Sequence, residues 1–153
     1  MKRAALLLSI KPAHVEAIVA GDKVSELRRK RPMVPTPITA FLYSTAPVSS
    51  VVAMCEVYES TTALLEALWL HVRETGHVTK DEFESYYSGL SVGTALSLRC
   101  VTPWTRHVRL NELTAVLGNS PPPQSFRYLD SAQVDELLRY ASAPEAPTKS
   151  FHF

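Results

Sequence analysis

The chain opens on an unbroken apolar run. Residues 4–10, Ala-Ala-Leu-Leu-Leu-Ser-Ile, are too few for an independent helix and suit a strand buried on both faces. From Pro12 the period changes: Val15, Ile18 and Val19 recur at helical spacing, proline occupies a tolerated first-turn position and Gly21 supplies a stop. Residues 23–27 read as extended. Prolines 32, 35 and 37 then lead into residues 38–44, whose β-branched and aromatic content predicts a strand, followed by a turn at 45–47 and a second strand over 51–58. Residues 61–74 return to helical period, with Leu64, Leu65, Leu68, Trp69 and Val72 on one face and Gly76 beyond. Thr79 and Glu82 have capping-box spacing, predicting a short helix through Tyr87 that stops at Gly89. A strand is expected over 94–101 and a short helix over 110–117. Prolines 121–123 break the chain, and Ser131 is expected to cap a terminal helix with Val134, Leu137 and Leu138 inward. Beyond it, residues 144–153 have loop composition and are expected to fray.

This alternation predicts one α+β unit over residues 1–153, with a helical extension at about 103–143. At 153 residues and 46% hydrophobic, the chain is long enough to bury its own core without a disulfide or a metal. The two cysteines, Cys55 and Cys100, each sit in an apolar run and read as buried thiols of a reducing compartment, so the expected location is the cytoplasm. No apolar run approaches the ~18 residues of a membrane span, and no membrane partner is expected.

A net charge of +1 hides a local asymmetry. Five of the sixteen Lys and Arg residues fall between positions 23 and 31, against one Glu. Arg28, Arg29, Lys30 and Arg31 form either a solvated loop or a polyanion contact. Three other constellations carry chemistry. Lys11 precedes a helix that lacks a Ser, Thr, Asp or Asn cap, so its free amides suit an anion, unless water or Ser9 satisfies them. If residues 23–28 are extended, Lys23 and Ser25 face one side while Glu26 and Arg28 pair on the other, as a cleft-fixing pair or a structural one. Gln124, Ser125, Arg127 and Tyr128 offer an amide, a hydroxyl, a guanidinium and an aromatic ring suited to bases, and Tyr43, Ser44 and Thr45 form a hydroxyl cluster at a strand end. The histidines show no zinc-ligand spacing, and GxSxG, P-loop and GxGxxG motifs do not occur, so no metal and no cofactor are expected.

Taken together, Leu-Leu-Leu-Ser-Ile-Lys-Pro at 6–12, Gly21-x-Lys23-x-x-Glu26-x-Arg28 and Tyr-Ser-Thr-Ala-Pro at 43–47 resemble the ASCH domain family of the PUA-like superfamily, over about residues 5–102. The resemblance implies a small β-barrel flanked by short helices, with a cleft for RNA or DNA. Some relatives are amidohydrolases of N4-acetylcytidine that use a lysine, a threonine three residues on and a downstream glutamate. The lysine matches Lys23, but Glu26 stands at the threonine position and the downstream acid is Glu74 or Glu56. Ribonuclease activity is the other enzymatic alternative. The reading is therefore a nucleic-acid-binding protein. Lys11, Lys23 and Arg28 to Arg31 would hold phosphates, Glu26 and Gln124 would read a base edge, and Tyr43 or Tyr128 would stack. Lys23 and Glu26 are the catalytic candidates if the protein is an enzyme. Five neutralised phosphates would give a log K against log salt slope of about −3.5 to −4.5.

Overall fold

The structure, a computed structural model, describes residues 2–144. The expected frayed end, apart from Pro144, lies outside the described residues. Six strands form one mixed, curved sheet: β1 (Ala5–Ile10), β2 (Ser25–Arg28), β3 (Ile38–Ser44), β4 (Ser50–Leu64), β5 (Val92–Arg109) and β6 (Phe126–Leu129). Their order across the sheet is β2-β5-β4-β3-β1-β6, with β1 and β3 parallel and the other pairs antiparallel. The sheet closes half a barrel and leaves β2 and β6 as its edges. Five helices complete the fold: α1 (Pro12–Ala20), α2 (Leu65–Val72), α3 (Lys80–Tyr86), α4 (Leu110–Val116) and α5 (Ser131–Ser142).

Side-chain alternation divides the core between the two faces of the sheet. Leu6, Leu8 and Ile10 of β1 join Ala40 and Leu42 of β3 on the face that receives Val15 and Ile18 of α1. Ala5 and Leu7 point the other way, with Phe41, Tyr43 and Val108, and are covered by Leu113 of α4 and Leu137 of α5. Every residue of β1 is buried, as its continuous apolar run requires. Each buried leucine contributes roughly 1.5–3 kcal/mol of transfer free energy. A third cluster, Leu68 and Val72 of α2 with Phe83 of α3 and Tyr87, packs on Leu27 and Ala95 and fixes both helices beside β2.

Helix α1 begins and ends where the sequence predicts. Gly21, at φ 85°, terminates it with its amide turned back to the Ala17 and Ile18 carbonyls. The Thr79–Glu82 capping box of α3 is formed. Three expectations need correction. The helix expected from residue 61 starts at Leu65, because residues 60–64 keep pairing with β5; Leu64, placed on the buried face, is 65% exposed. Asp130, not Ser131, caps α5, its carboxylate accepting from the Gln133 amide. Cys55 is buried, whereas Cys100 is exposed at φ 54° in an irregular stretch of β5. The small β-barrel that the resemblance implies is present as a half-barrel of six strands. β5 itself runs through Pro103, beside a register shift where a missing amide is tolerated. No helix among the described residues is long and apolar enough to cross a membrane.

Candidate functional site

A cleft of about 1010 Å³ opens where the half-barrel fails to close. Its walls are the end of β1, the first turn of α1, strand β2, helix α3 and the loop before β6. The floor is the Gly21-x-Lys23-x-x-Glu26-x-Arg28 element. After Gly21 the chain folds back, with the Asp22 and Lys23 amides both donating to the Ala17 carbonyl. Lys23 therefore precedes β2 and escapes its alternation, which is why it shares a cleft with Glu26 and Arg28 instead of facing away from them. The Lys23 side chain is 1% exposed and its Nζ donates to the Gly76 carbonyl. Burial pulls its pKa below the ordinary lysine value; Glu26 opposes that pull and Arg28 adds to it.

Arg28 bridges the gap between the edges of the sheet. From β2, its Nη2 donates to the Ser9 carbonyl of β1 at 3.1 Å, and its Nη1 donates to the Ser125 carbonyl at 3.0 Å and the Ser125 Oγ at 3.2 Å. A guanidinium fork thus takes the place of the backbone ladder that a closed barrel would have. Ser9 reinforces the same joint, its Oγ donating to the Pro123 carbonyl at 2.6 Å and its amide to the Ser125 carbonyl at 2.9 Å. Glu26 Oε1 lies 3.9 Å from Arg28 Nη2. Glu26 Oε2, Arg28 Nε and His14 Nδ1 are buried with no hydrogen-bond partner. Burial, followed by the charge of Lys23, holds the pKa of His14 below its ordinary value, with Glu26 and Glu82 pulling the other way.

The four consecutive cations do not act as a unit. Arg28 is buried in the joint just described. Arg29 Nη1 donates to the Tyr86 and Ser88 carbonyls at the end of α3, a helix-terminating role. Lys30 is exposed and lines the cleft, and Arg31 is exposed but does not line it. Lys11, exposed at the start of α1, faces the opening, and that helix has no side-chain cap. Thr45, Gln124 and Ser125 also line the cleft.

Other sequence candidates lie elsewhere. Tyr43 packs in the cluster under α4 and α5 and Ser44 is 2% exposed, so neither presents a surface to a base. The Tyr128 ring lies under Arg3, 3.7 Å from the guanidinium carbon, and its hydroxyl accepts from the Met33 amide; the ring is already occupied. Arg127 belongs to β6 and does not line the cleft. Glu56 pairs with Arg99 away from the cleft, and Glu74 is exposed outside it. Ser25 is buried, its hydroxyl bonded to that of Thr75.

Sequence reasoning missed His14 and the whole contribution of α3: Asp81, Glu82, Ser85 and Tyr86. Tyr86 is 39% exposed, its hydroxyl donates to the Leu27 carbonyl, and burial raises its pKa. The amphipathic spacing of Phe83 and Tyr87 was the available signal, since burying those two leaves Ser85 and Tyr86 on another face. Among the described residues no three His, Cys, Asp or Glu side chains gather closely enough to hold a metal ion.

This half-barrel, with a polar gap between its two edges, has the ASCH (PUA-like) fold. No family model matches the chain. It is 27% identical over 139 residues, 91% of its length and 93% of the relative's, to a Zymomonas mobilis protein named ASCH domain-containing ribonuclease. The crystal structure of ASCH from Zymomonas mobilis matches with a TM-score of 0.83 at 27% identity, covering 90% of this chain and 95% of that one. A serine-to-alanine variant of that protein matches with a TM-score of 0.83 at 26% identity, covering 89% and 95%. In fold and in sequence the chain is similar to ASCH domain proteins.

Proposed function

We propose that this protein binds RNA as a single domain and seats an unpaired nucleotide in the cleft. The observation that carries this reading is the cleft floor, where a buried carboxylate oxygen of Glu26 and a buried guanidinium nitrogen of Arg28 both lack partners. Buried polar atoms are almost always hydrogen-bonded, so an acceptor and a donor left without partners on two residues that line the same cleft suit a ligand that brings both, as a base edge does. The cleft is at the upper end of the ~300–1,000 Å³ typical of small-molecule sites, enough for a nucleotide with part of its neighbours. Lys11 and Lys30 at the opening have no ion-pair partner among the described residues and are the phosphate contacts. Tyr86 takes the stacking role that Tyr43 and Tyr128 cannot fill. The reduced thiols fit a cytoplasmic setting.

Because Arg28 and Arg29 are committed to backbone carbonyls, about two to three phosphates are neutralised rather than five. For single strands the slope of log K against log salt is then about −1.4 to −2.1. Anisotropy titrations of a labelled single-stranded RNA at low and moderate salt test this. No binding at either salt, or binding indifferent to salt, overturns it.

A second reading, ribonuclease, is favoured by Lys23 and by the name of the Zymomonas mobilis relative. A lysine whose amine is more readily deprotonated than usual, next to a carboxylate, is suited to take a proton from a ribose hydroxyl. Lys23→Met would then abolish cleavage of a labelled RNA while leaving its binding within a few-fold of wild type. The amidohydrolase alternative has less support, because Glu26 replaces the hydroxyl nucleophile and the serine next to it in sequence, Ser25, does not line the cleft and has its hydroxyl bonded to that of Thr75.

A further inference from the structure

A second cavity, about 380 Å³, shares no lining residue with the cleft. It opens over the β3–β4–β5 portion of the sheet, and both cysteines line it, with Thr39, Met54, Glu56 and Thr102. The strand register explains how two thiols 45 positions apart meet. In the β4–β5 ladder Met54 pairs with Thr102 and Glu56 pairs with Arg99. One residue of β4, Cys55, therefore stands opposite two of β5, Cys100 and Val101, which is a β-bulge. Facing residues of antiparallel strands have Cα atoms about 4.5–5.5 Å apart, inside the ~4.4–6.8 Å that a disulfide spans.

We propose that Cys55 and Cys100 form a reversible cross-strand disulfide when the protein meets a hydroperoxide. The two thiols are unequal in a way that sets the order of events. Cys100 is exposed, and at φ 54° it holds the left-handed backbone position of the bulge, where glycine would be the unstrained choice. Cys55 is 4% exposed, and burial pushes its thiol up to about 12, so it stays protonated and unreactive towards solvent oxidants. Cys100 reacts first. Its thiolate attacks one oxygen of hydrogen peroxide, the O–O bond breaks, and sulfenic acid and hydroxide result. The Cys55 sulfur then attacks the Cys100 sulfur and the S–O bond breaks. The Cys55 proton and the departing hydroxide leave as water. In total two thiols lose two electrons and two protons, and one peroxide becomes two waters. A thiol reductant reverses the step, as befits a transient disulfide in a reducing compartment.

The test is peptide mapping of the folded protein after hydrogen peroxide treatment, with remaining thiols alkylated before digestion. Two alkylatable thiols should fall to none. A linked pair of peptides carrying Cys55 and Cys100 should appear, and dithiothreitol should restore both thiols. With Cys100→Ser, Cys55 should remain fully alkylatable. With Cys55→Ser, Cys100 should stop at a sulfenic acid that dimedone captures. The proposal is overturned if both thiols of the wild-type protein survive peroxide, if Cys100 proceeds to sulfonic acid while Cys55 stays free, or if the only disulfide joins two chains. RNA binding plays no part in any of these readouts.

Discussion

Removing the side chain of Arg28 tests how the open edge of the half-barrel is held. In Arg28→Ala the Ser9 carbonyl and the Ser125 carbonyl and hydroxyl lose the guanidinium donor, the Ser125 carbonyl keeping the Ser9 amide, and Glu26 is left as a buried carboxylate with the Arg28 cation gone and only Lys23 near it. Hydrogen bonds from a charged donor are worth about 1.5–3 kcal/mol each, but they are not additive, and the Ser125 groups are only partly buried. At 3.9 Å the Glu26 contact is a weak ion pair in itself, so its share comes from stranding a buried charge. A loss of about 3–5 kcal/mol is expected, a large part of the ~5–15 kcal/mol that holds most domains folded. With a urea slope of about 1–3 kcal/mol per molar, the unfolding midpoint should fall by roughly 2 M at constant slope. Arg28→Lys keeps the charge but cannot reach β1 and the Ser125 loop together, so it should lie between wild type and alanine. Adding Glu26→Gln to Arg28→Ala should recover part of the loss, because the stranded carboxylate becomes a neutral amide. Urea unfolding followed by circular dichroism measures all four proteins. A loss under 1 kcal/mol for Arg28→Ala, or a lysine variant equal to wild type, refutes the bridging role.

Further expectations concern the core, pH and salt. A Cβ placed on Gly93 would lie 2.6 Å from Tyr87 Cζ and 2.9 Å from Leu68 Cδ2, so Gly93→Ala should cost about 1–3 kcal/mol by overpacking and lower the thermal midpoint. Burial holds His14 below the ordinary value of 6.5, so in the window just below that pH the unfolded chain binds more protons than the folded one. Stability should therefore fall as pH drops through the window, and His14→Gln should flatten that slope in urea titrations run at successive pH values. Lys11→Ala and Lys30→Ala should each reduce the magnitude of the salt slope for single-stranded RNA by about 0.7, whereas Arg31→Ala should leave it unchanged.

The parts of the fold legible in the sequence are those set by local rules. Pro12 and Gly21 bracket α1 because fixed backbone angles do not depend on distant contacts, and the Thr79–Glu82 box marks α3 for the same reason. The run over β1 gave a strand because continuous apolar sequence has few other uses at that length. Where periodicity was ambiguous, pairing decided: residues 60–64 fit a helical pattern, yet β5 extends far enough to hold them as strand. Alternation failed at two places where the chain leaves strand geometry. Lys23 lies in the turn before β2, and Cys100 sits at a bulge that shifts the phase of β5. The floor of the cleft was visible because Lys23, Glu26 and Arg28 are close in sequence. The α3 wall was not, since Asp81, Glu82, Ser85 and Tyr86 reach the cleft only through the packing of Phe83 and Tyr87 against Leu27 and Ala95. Tyr43 and Ser44 were misread because a position at a strand end does not say which face of the sheet is covered.

The most direct test of the cleft as the RNA site is a backbone amide NMR titration of the folded protein with a short single-stranded RNA. The largest shifts should fall on His14, Glu26, Lys30, Tyr86, Gln124 and Ser125, which come from four separate segments of the chain and share one cavity. Residues around Cys55 and Cys100 should stay still. Shifts concentrated on the α4–α5 face, or no shifts under conditions where the RNA is bound, would contradict it.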